Sequence, residues 1–315
     1  MQLFKVSPAQ ALTALRTLKA VAMANGEFDD KERTLLDVAA HLYGVEVDVD
    51  DLRPIAPEDL AQEVSSFDDR LRLLQACLIM ALADGEATED EWRVLEELRV
   101  ALDVEDARMK VFHDLALGRR RLANKAFGRQ LASLRPGAPH GAAAGLDAIR
   151  RFFRVLGLGQ SDDPARAERY RALRDLPEGT LGRAYWQWCH DQGHPLPFEP
   201  GGPPESTVHH DLLRVLTGCP ADPSGELDLA AFTAGMKHED PFAFLFFPLL
   251  SLCAGLEVSP AKAQEKGHFD PARFMEALTR GAACNTDLTE SWDFWPLMGR
   301  PLVEVRRQYE ISAPE

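Results

Sequence analysis

Apolar positions along this chain recur at helical spacing almost throughout, and the two-residue alternation that marks a strand is nearly absent. Leu12, Leu15, Leu18 and Ala22 form one apolar stripe, and Leu71, Leu74, Leu78 and Leu82 form another. Each stripe runs into a short acidic turn and then a second apolar helix, carrying Leu35, Val38 and Leu42 in one case and Val94, Leu95 and Leu98 in the other. The turns themselves repeat. Ala24-Asn25-Gly26-Glu27-Phe28-Asp29-Asp30-Lys31-Glu32 aligns with Ala83-Asp84-Gly85-Glu86-Ala87-Thr88-Glu89-Asp90-Glu91 at an offset of 59 residues. The pattern predicts an all-α chain that begins with a duplicated helix–acidic turn–helix unit and continues into a larger helical domain.

Asp29-x-x-Glu32 and Thr88-x-x-Glu91 have the form of capping boxes that start the following helices. Gly26 and Gly85 supply the conformation that ends the preceding ones. Capping alone accounts for the repeat. A calcium-binding EF-hand is excluded, because its first and third loop positions would be Val21 and Met23, or Met80 and Leu82, and none of these offers a side-chain oxygen.

Pro136-Gly137-Ala138-Pro139-His140-Gly141-Ala142 reads as a linker by composition. Three parts follow: a duplicated helical domain over 1–118, a basic helix and Pro/Gly/Ala-rich linker over 119–145, and a larger helical domain over 146–315. Residues 193–204 hold five prolines and three glycines, and predict an irregular loop. The apolar run from Phe242 to Leu256 has 15 residues. A spanning helix needs about 20, so a core helix is preferred to a lipid-tail groove or a membrane-facing patch, with a kink expected at Pro248.

Charge changes this picture in one place. The net charge of −15 divides into −13 over 1–118, +8 over 119–160 and −10 over 161–315. So acidic a chain is a poor partner for nucleic acid, whose affinity comes from phosphate neutralisation. The basic block, with Arg119-Arg120-Arg121 and Arg150-Arg151-Phe152-Phe153-Arg154-Val155-Leu156, suits an anionic membrane surface or the space between two acidic domains. A solvated face is the commoner use of such a run. Cys77, Cys189, Cys219, Cys253 and Cys284 are scattered without a C-x-x-C pair, and no signal peptide opens the sequence. That combination predicts reduced, mostly buried thiols in a cytoplasmic protein.

The candidate chemistry lies in His209-His210-Asp211-Leu212-Leu213-Arg214-Val215-Leu216-Thr217-Gly218, followed by Gly225-Glu226. His210 and position 214 stand one helical turn apart and share a face. A His/Asp pair with a later Glu is a ligand set for zinc, cobalt or iron. The second ligand position, however, holds Arg214, and a guanidinium does not bind metals.

This segment resembles the Coq-four family of ubiquinone (coenzyme Q) biosynthesis proteins, whose hallmark is His-Asp, two residues, His, eleven residues, Glu. Two further stretches carry the resemblance. Leu176-Pro177-Glu178-Gly179-Thr180-Leu181-Gly182-Arg183-Ala184-Tyr185 is similar to the family's entry segment. Trp292-Asp293-Phe294-Trp295 with Pro301-Leu302-Val303-Glu304-Val305-Arg306 is similar to its closing helix. The resemblance implies a polyprenyl lipid or quinone-precursor substrate, decarboxylation coupled to hydroxylation at ring carbon 1, other ubiquinone-biosynthesis proteins as partners, and peripheral contact with the inner membrane. Carried over by residue, His210, Asp211 and Glu226 match the metal positions and Arg214 departs.

Three readings of Arg214 stand: it turns outward from a weaker metal, it replaces the ion by pairing with Asp211 or Glu226, or it grips a substrate carboxylate. His210, Asp211 and Arg214 are the candidate catalytic residues. A rival string, His190-Asp191-Gln192-Gly193-His194, falls at a helix end and has Ser206 where a Glu is needed. His238 and His268 show no partner pattern and predict structural or exposed roles.

The paired acidic turns resemble the tellurite-resistance TerB domain, whose length residues 8–118 match. That likeness implies a divalent-ion site, here from Asp84, Glu86 and Glu27, weakened by Asn25 in the first copy. A non-catalytic lipid-binding scaffold and a metal- or stress-responsive interaction protein are the alternative functions. Serine-nucleophile and phosphate-loop motifs are absent from the sequence.

Overall fold

The computed structural model describes residues 8–133, 163–203, 205–237, 240–256, 268–289 and 292–312. The linker at 136–142, the basic stretch 150–156 and His238 lie outside the described residues. The architecture is all-α, with fourteen α-helices and no strand among the described residues.

The first part follows the duplicated pattern. Helix α1 (Pro8–Ala22) leads through the first acidic turn to α2 (Asp30–Tyr43). After α3 (Pro57–Glu63), α4 (Phe67–Met80) leads through the second turn to α5 (Glu89–Leu102). Both capping boxes form. Asp29 Oδ1 accepts from Glu32 N at 2.7 Å while Asp29 N donates to Glu32 Oε2 at 3.0 Å. Thr88 Oγ1 accepts from Glu91 N at 3.2 Å while Thr88 N donates to Glu91 Oε2 at 2.7 Å. Asn25 and Asp84 make the same local turn, accepting from Glu27 N and Glu86 N at 2.9 Å each. The exchange of Asn for Asp at this position therefore leaves the turn intact.

Helices α6 (Met109–Ala116) and α7 (Arg120–Ser133) complete this part. The second part contains α8 (Pro164–Arg171), α9 (Leu181–Asp191), α10 (Val208–Thr217), α11 (Pro223–Met236), α12 (Pro241–Leu252), α13 (Pro271–Ala283) and α14 (Leu302–Gln308). The apolar run becomes α12, whose phenylalanines are buried. It passes through Pro248, which is partly exposed, as is Leu252 at the helix end.

Helices α11 and α13 cross with almost no side chain between them. A Cβ added at Gly281 would sit 1.9 Å from the Phe232 carbonyl oxygen, and one at Gly235 would sit 2.1 Å from that of Leu278. The two parts share one buried apolar cluster. Helix α2 packs on α13, the Phe127 and Phe247 rings stand 5.1 Å apart, and Arg108 pairs with Asp240 at 2.8 Å. Gly85 (φ +93°) brings the second acidic turn against the end of α12, where an added Cβ would lie 3.1 Å from the Cys253 oxygen. All five cysteines are free thiols, four of them buried, and burial raises Cys253 to about 12.

Candidate functional site at the junction of α10 and α11

Helix α10 ends at Gly218, which takes the left-handed conformation at φ 73°. A tight crossing then returns the chain to α11, where Asp222 caps by accepting from Gly225 N at 2.7 Å. Gly225 is required here because a Cβ would lie 2.1 Å from the Pro220 oxygen. This close approach places Glu226 opposite Arg214. Arg214 donates through Nη2 to Glu226 Oε1 and through Nη1 to the Pro220 oxygen. The Cys219 oxygen lies 3.5 Å from the same Nη1.

Arg214 is 2% exposed and Asp211 4% exposed, so both belong to the interior. His210 is partly buried, with Nδ1 3.5 Å from Asp211 Oδ1. The structure thus brings Arg214 and Glu226 into one ion pair, and His210 and Asp211 into another contact one turn earlier on α10. His209 points elsewhere. Its Nε2 lies 2.8 Å from the Trp292 oxygen, and its ring meets Phe294 edge-on at 5.2 Å.

The other two segments quoted for the resemblance meet the same helix. Thr180 and Pro301 form an isolated antiparallel bridge, flanked by Leu181 N to Arg300 O at 2.9 Å and Leu302 N to Gly179 O at 2.8 Å. Arg306 donates Nε to the Leu216 oxygen at 2.7 Å and Nη2 to the Val215 oxygen at 3.2 Å. Arg280 reaches the Thr217 oxygen at 2.8 Å. Two guanidiniums thereby satisfy the open carbonyls of the α10 C-terminus, where the helix dipole favours positive charge. Burial first and then the neighbouring Arg280 hold Arg306 below the usual arginine range. Tyr185 on α9 is fully buried, with its phenol beside the Cys189 thiol and within electrostatic range of Asp211; burial dominates in pushing it well above the usual tyrosine range.

At the acidic repeat the geometry regroups the expected residues. Glu27 is exposed, and the carboxylates acting most on Asp84 are Asp29 and Glu86. Glu32 and Glu91, read from the sequence as caps alone, are 2% and 1% exposed and stand within electrostatic range of one another and of Asp84. Burial, opposed by the capping hydrogen bonds, raises Glu32 to about 8 and Glu91 to about 7. Glu91 Oε1 is buried and accepts no hydrogen bond. Among the described residues no three His, Cys, Asp or Glu side chains are grouped as an ion would require. The signal for this cluster was the capping box itself, since an N3 glutamate that reaches back into a turn is drawn out of solvent when another helix covers that turn.

The rival string separates as its glycine demands. Helix α9 ends at Asp191, and Gly193 takes φ 63°, so His190 and His194 do not share a helix face. Among the described residues, no helix is long and apolar enough to cross a membrane. The chain matches no protein-family model, no curated protein and no solved structure.

Proposed function

We propose that this chain is a ubiquinone-biosynthesis protein of the Coq-four type that binds and presents a polyprenylated hydroxybenzoate-type precursor. One observation carries the proposal: the three segments behind the resemblance, spread over residues 176–306, meet around α10 through the Thr180–Pro301 bridge, the His209–Trp292 contact and the Arg306 cap. Segments so far apart in sequence have no local reason to converge on the same ten-residue helix.

The residues at α10–α11 do not fit the family's ion. Glu226 is engaged by a buried guanidinium that cannot be deprotonated, and a dication placed about 4 Å from it would meet a repulsion of a few kcal/mol or more. The site works instead as an arginine–carboxylate pair that fixes the α10–α11 turn. Beside it, His210, oriented by Asp211, is the group able to take or give a proton to a bound ring. This favours lipid binding and presentation to partner enzymes over metal-assisted decarboxylation, with peripheral contact at the inner membrane.

Two measurements test the proposal. Lipids extracted from the purified chain are expected to include a polyprenylated aromatic acid, and cells lacking the chain are expected to accumulate that precursor and lose ubiquinone. An unchanged quinone profile together with lipid-free protein would sink it. The Arg214→His variant, which rebuilds the family's metal positions and releases Glu226, is expected to retain about one equivalent of zinc after dialysis, far above the parent chain. Equal metal content in the two proteins would show that Arg214 does not govern the site.

A second reading, a divalent-ion response by residues 1–118, draws support from the partnerless Glu91 Oε1 beside Asp84 and Glu86. It predicts saturable calcium or magnesium binding by the full chain that Glu91→Gln abolishes, and a flat titration removes it.

A further inference from the structure

A cavity of about 240 Å³ opens at the end of α9, where Arg171, Arg174, His190 and His194 line it together. Clefts for drug-sized ligands span roughly 300–1,000 Å³, so the occupant here is smaller. Four side chains with N–H donors converge on this space, of which Arg171 also pairs through Nη1 with Glu168 Oε2 at 3.1 Å and Arg174 through Nε with Asp175 Oδ1 at 3.4 Å. The one acid among the lining residues, Glu199, is already engaged, with Oε1 accepting from Arg171 Nε at 2.8 Å and Oε2 from Leu196 N at 2.9 Å.

The walls are built rather than loose. The His190 ring stacks on Trp186 at 5.0 Å and 8°, the Arg183 guanidinium sits 4.9 Å from the Trp186 ring, and the His194 ring lies 5.4 Å from Trp188. Arg183 also donates to the Arg174 carbonyl, tying the segment that carries Arg174 to α9. The floor is apolar, from buried Cys189 and Leu196. A phosphoryl group offers three acceptor oxygens to such donors, where a carboxylate offers two. The remaining volume and the apolar floor suit a short organic stem.

We propose that this cavity binds a small phosphate monoester, its phosphoryl oxygens held by Arg171, Arg174, His190 and His194. The site is independent of the α10–α11 junction and of the reading given to it. The probes are inorganic phosphate, glycerol 3-phosphate, and phosphatidylcholine vesicles with and without phosphatidic acid. Calorimetry and tryptophan fluorescence report binding, Trp186 lying in the wall.

Glycerol 3-phosphate or the phosphatidic acid vesicles are expected to bind saturably, at a Kd below about 1 mM for the soluble ester. Whichever binds identifies the source as a soluble ester or a lipid headgroup. Arg174→Gln and His194→Gln, both at exposed positions, are each expected to weaken binding about tenfold, the loss of one charge-assisted hydrogen bond. Arg93→Gln, on exposed α5 surface, is expected to leave it unchanged. Absence of saturable binding by every probe overturns the proposal. So does weakening by Arg93→Gln as large as that by the cavity variants, or binding of inorganic phosphate alone.

Discussion

The Arg214→Met variant is expected to lose about 3 kcal/mol of stability, read as a fall in the urea midpoint at constant slope. Methionine approximates the stem of arginine but removes every donor. Glu226 is then left beside an apolar neighbour, and the Pro220 carbonyl loses its partner. Breaking a buried ion pair from one side typically costs about 3–5 kcal/mol, and the lower end applies because the Glu226 side chain retains 28% exposure and rehydrates in part. Glu226→Gln is expected to cost less, about 1 kcal/mol, since a glutamine oxygen still accepts from Arg214. The double variant should be more stable than the sum of the two losses predicts, with a coupling of about 1–2 kcal/mol. Additive losses would mean that the pair does not act as a unit, and the account of a guanidinium occupying the ion's place would fall with it.

The positions of Arg214 and Glu226 were legible from spacing, because eleven intervening residues allow one helix to end and the next to begin. Which partner Arg214 takes was not legible. That depends on Gly225 letting the Pro220 carbonyl approach, a through-space contact that helical periodicity does not encode. The helices of the acidic repeat follow their apolar stripes closely, and both capping boxes form as the sequence predicts. What the stripes conceal is the covering of those boxes by other helices, which turns Glu32 and Glu91 from surface caps into buried acids. The roles of Arg280 and Arg306 were hidden for a similar reason. Each satisfies carbonyls of a helix 63 to 91 residues away, and a charged residue near a helix end looks the same in sequence whether it caps its own helix or another. At the cavity beside α9 the sequence shows only a His-Asp-x-x-His string interrupted by Gly193. The histidines lie together, but as walls stacked on tryptophans rather than as ligands on one helix face.

Stability is expected to fall as pH rises from about 5 to 8, the opposite of the trend that salt-bridged carboxylates give. In the folded chain Glu32 and Glu91 are raised to about 8 and about 7, from an ordinary value of 4.5, chiefly by burial. The folded state therefore binds their protons more tightly than the unfolded state does. Between the ordinary carboxylate range and these raised values, the unfolded chain is ionised while the folded chain still holds its protons, so each increase in pH favours unfolding. Above about 8 the full cost is present, about 5 kcal/mol for Glu32 and about 3 kcal/mol for Glu91. Glu32→Gln and Glu91→Gln keep an oxygen to accept from Asp29 N and Thr88 N, so the capping boxes survive while the titrations disappear. The double variant should lose most of the pH slope between 5 and 8 and be the more stable protein at pH 8, as measured by urea midpoints across that range. Retention of the parent slope would show that other groups carry it. A divalent ion seated beside Glu91 would act in the same direction as the variant, lifting stability at pH 8 in the parent chain, and it should do nothing for the double variant, whose carboxylates are gone.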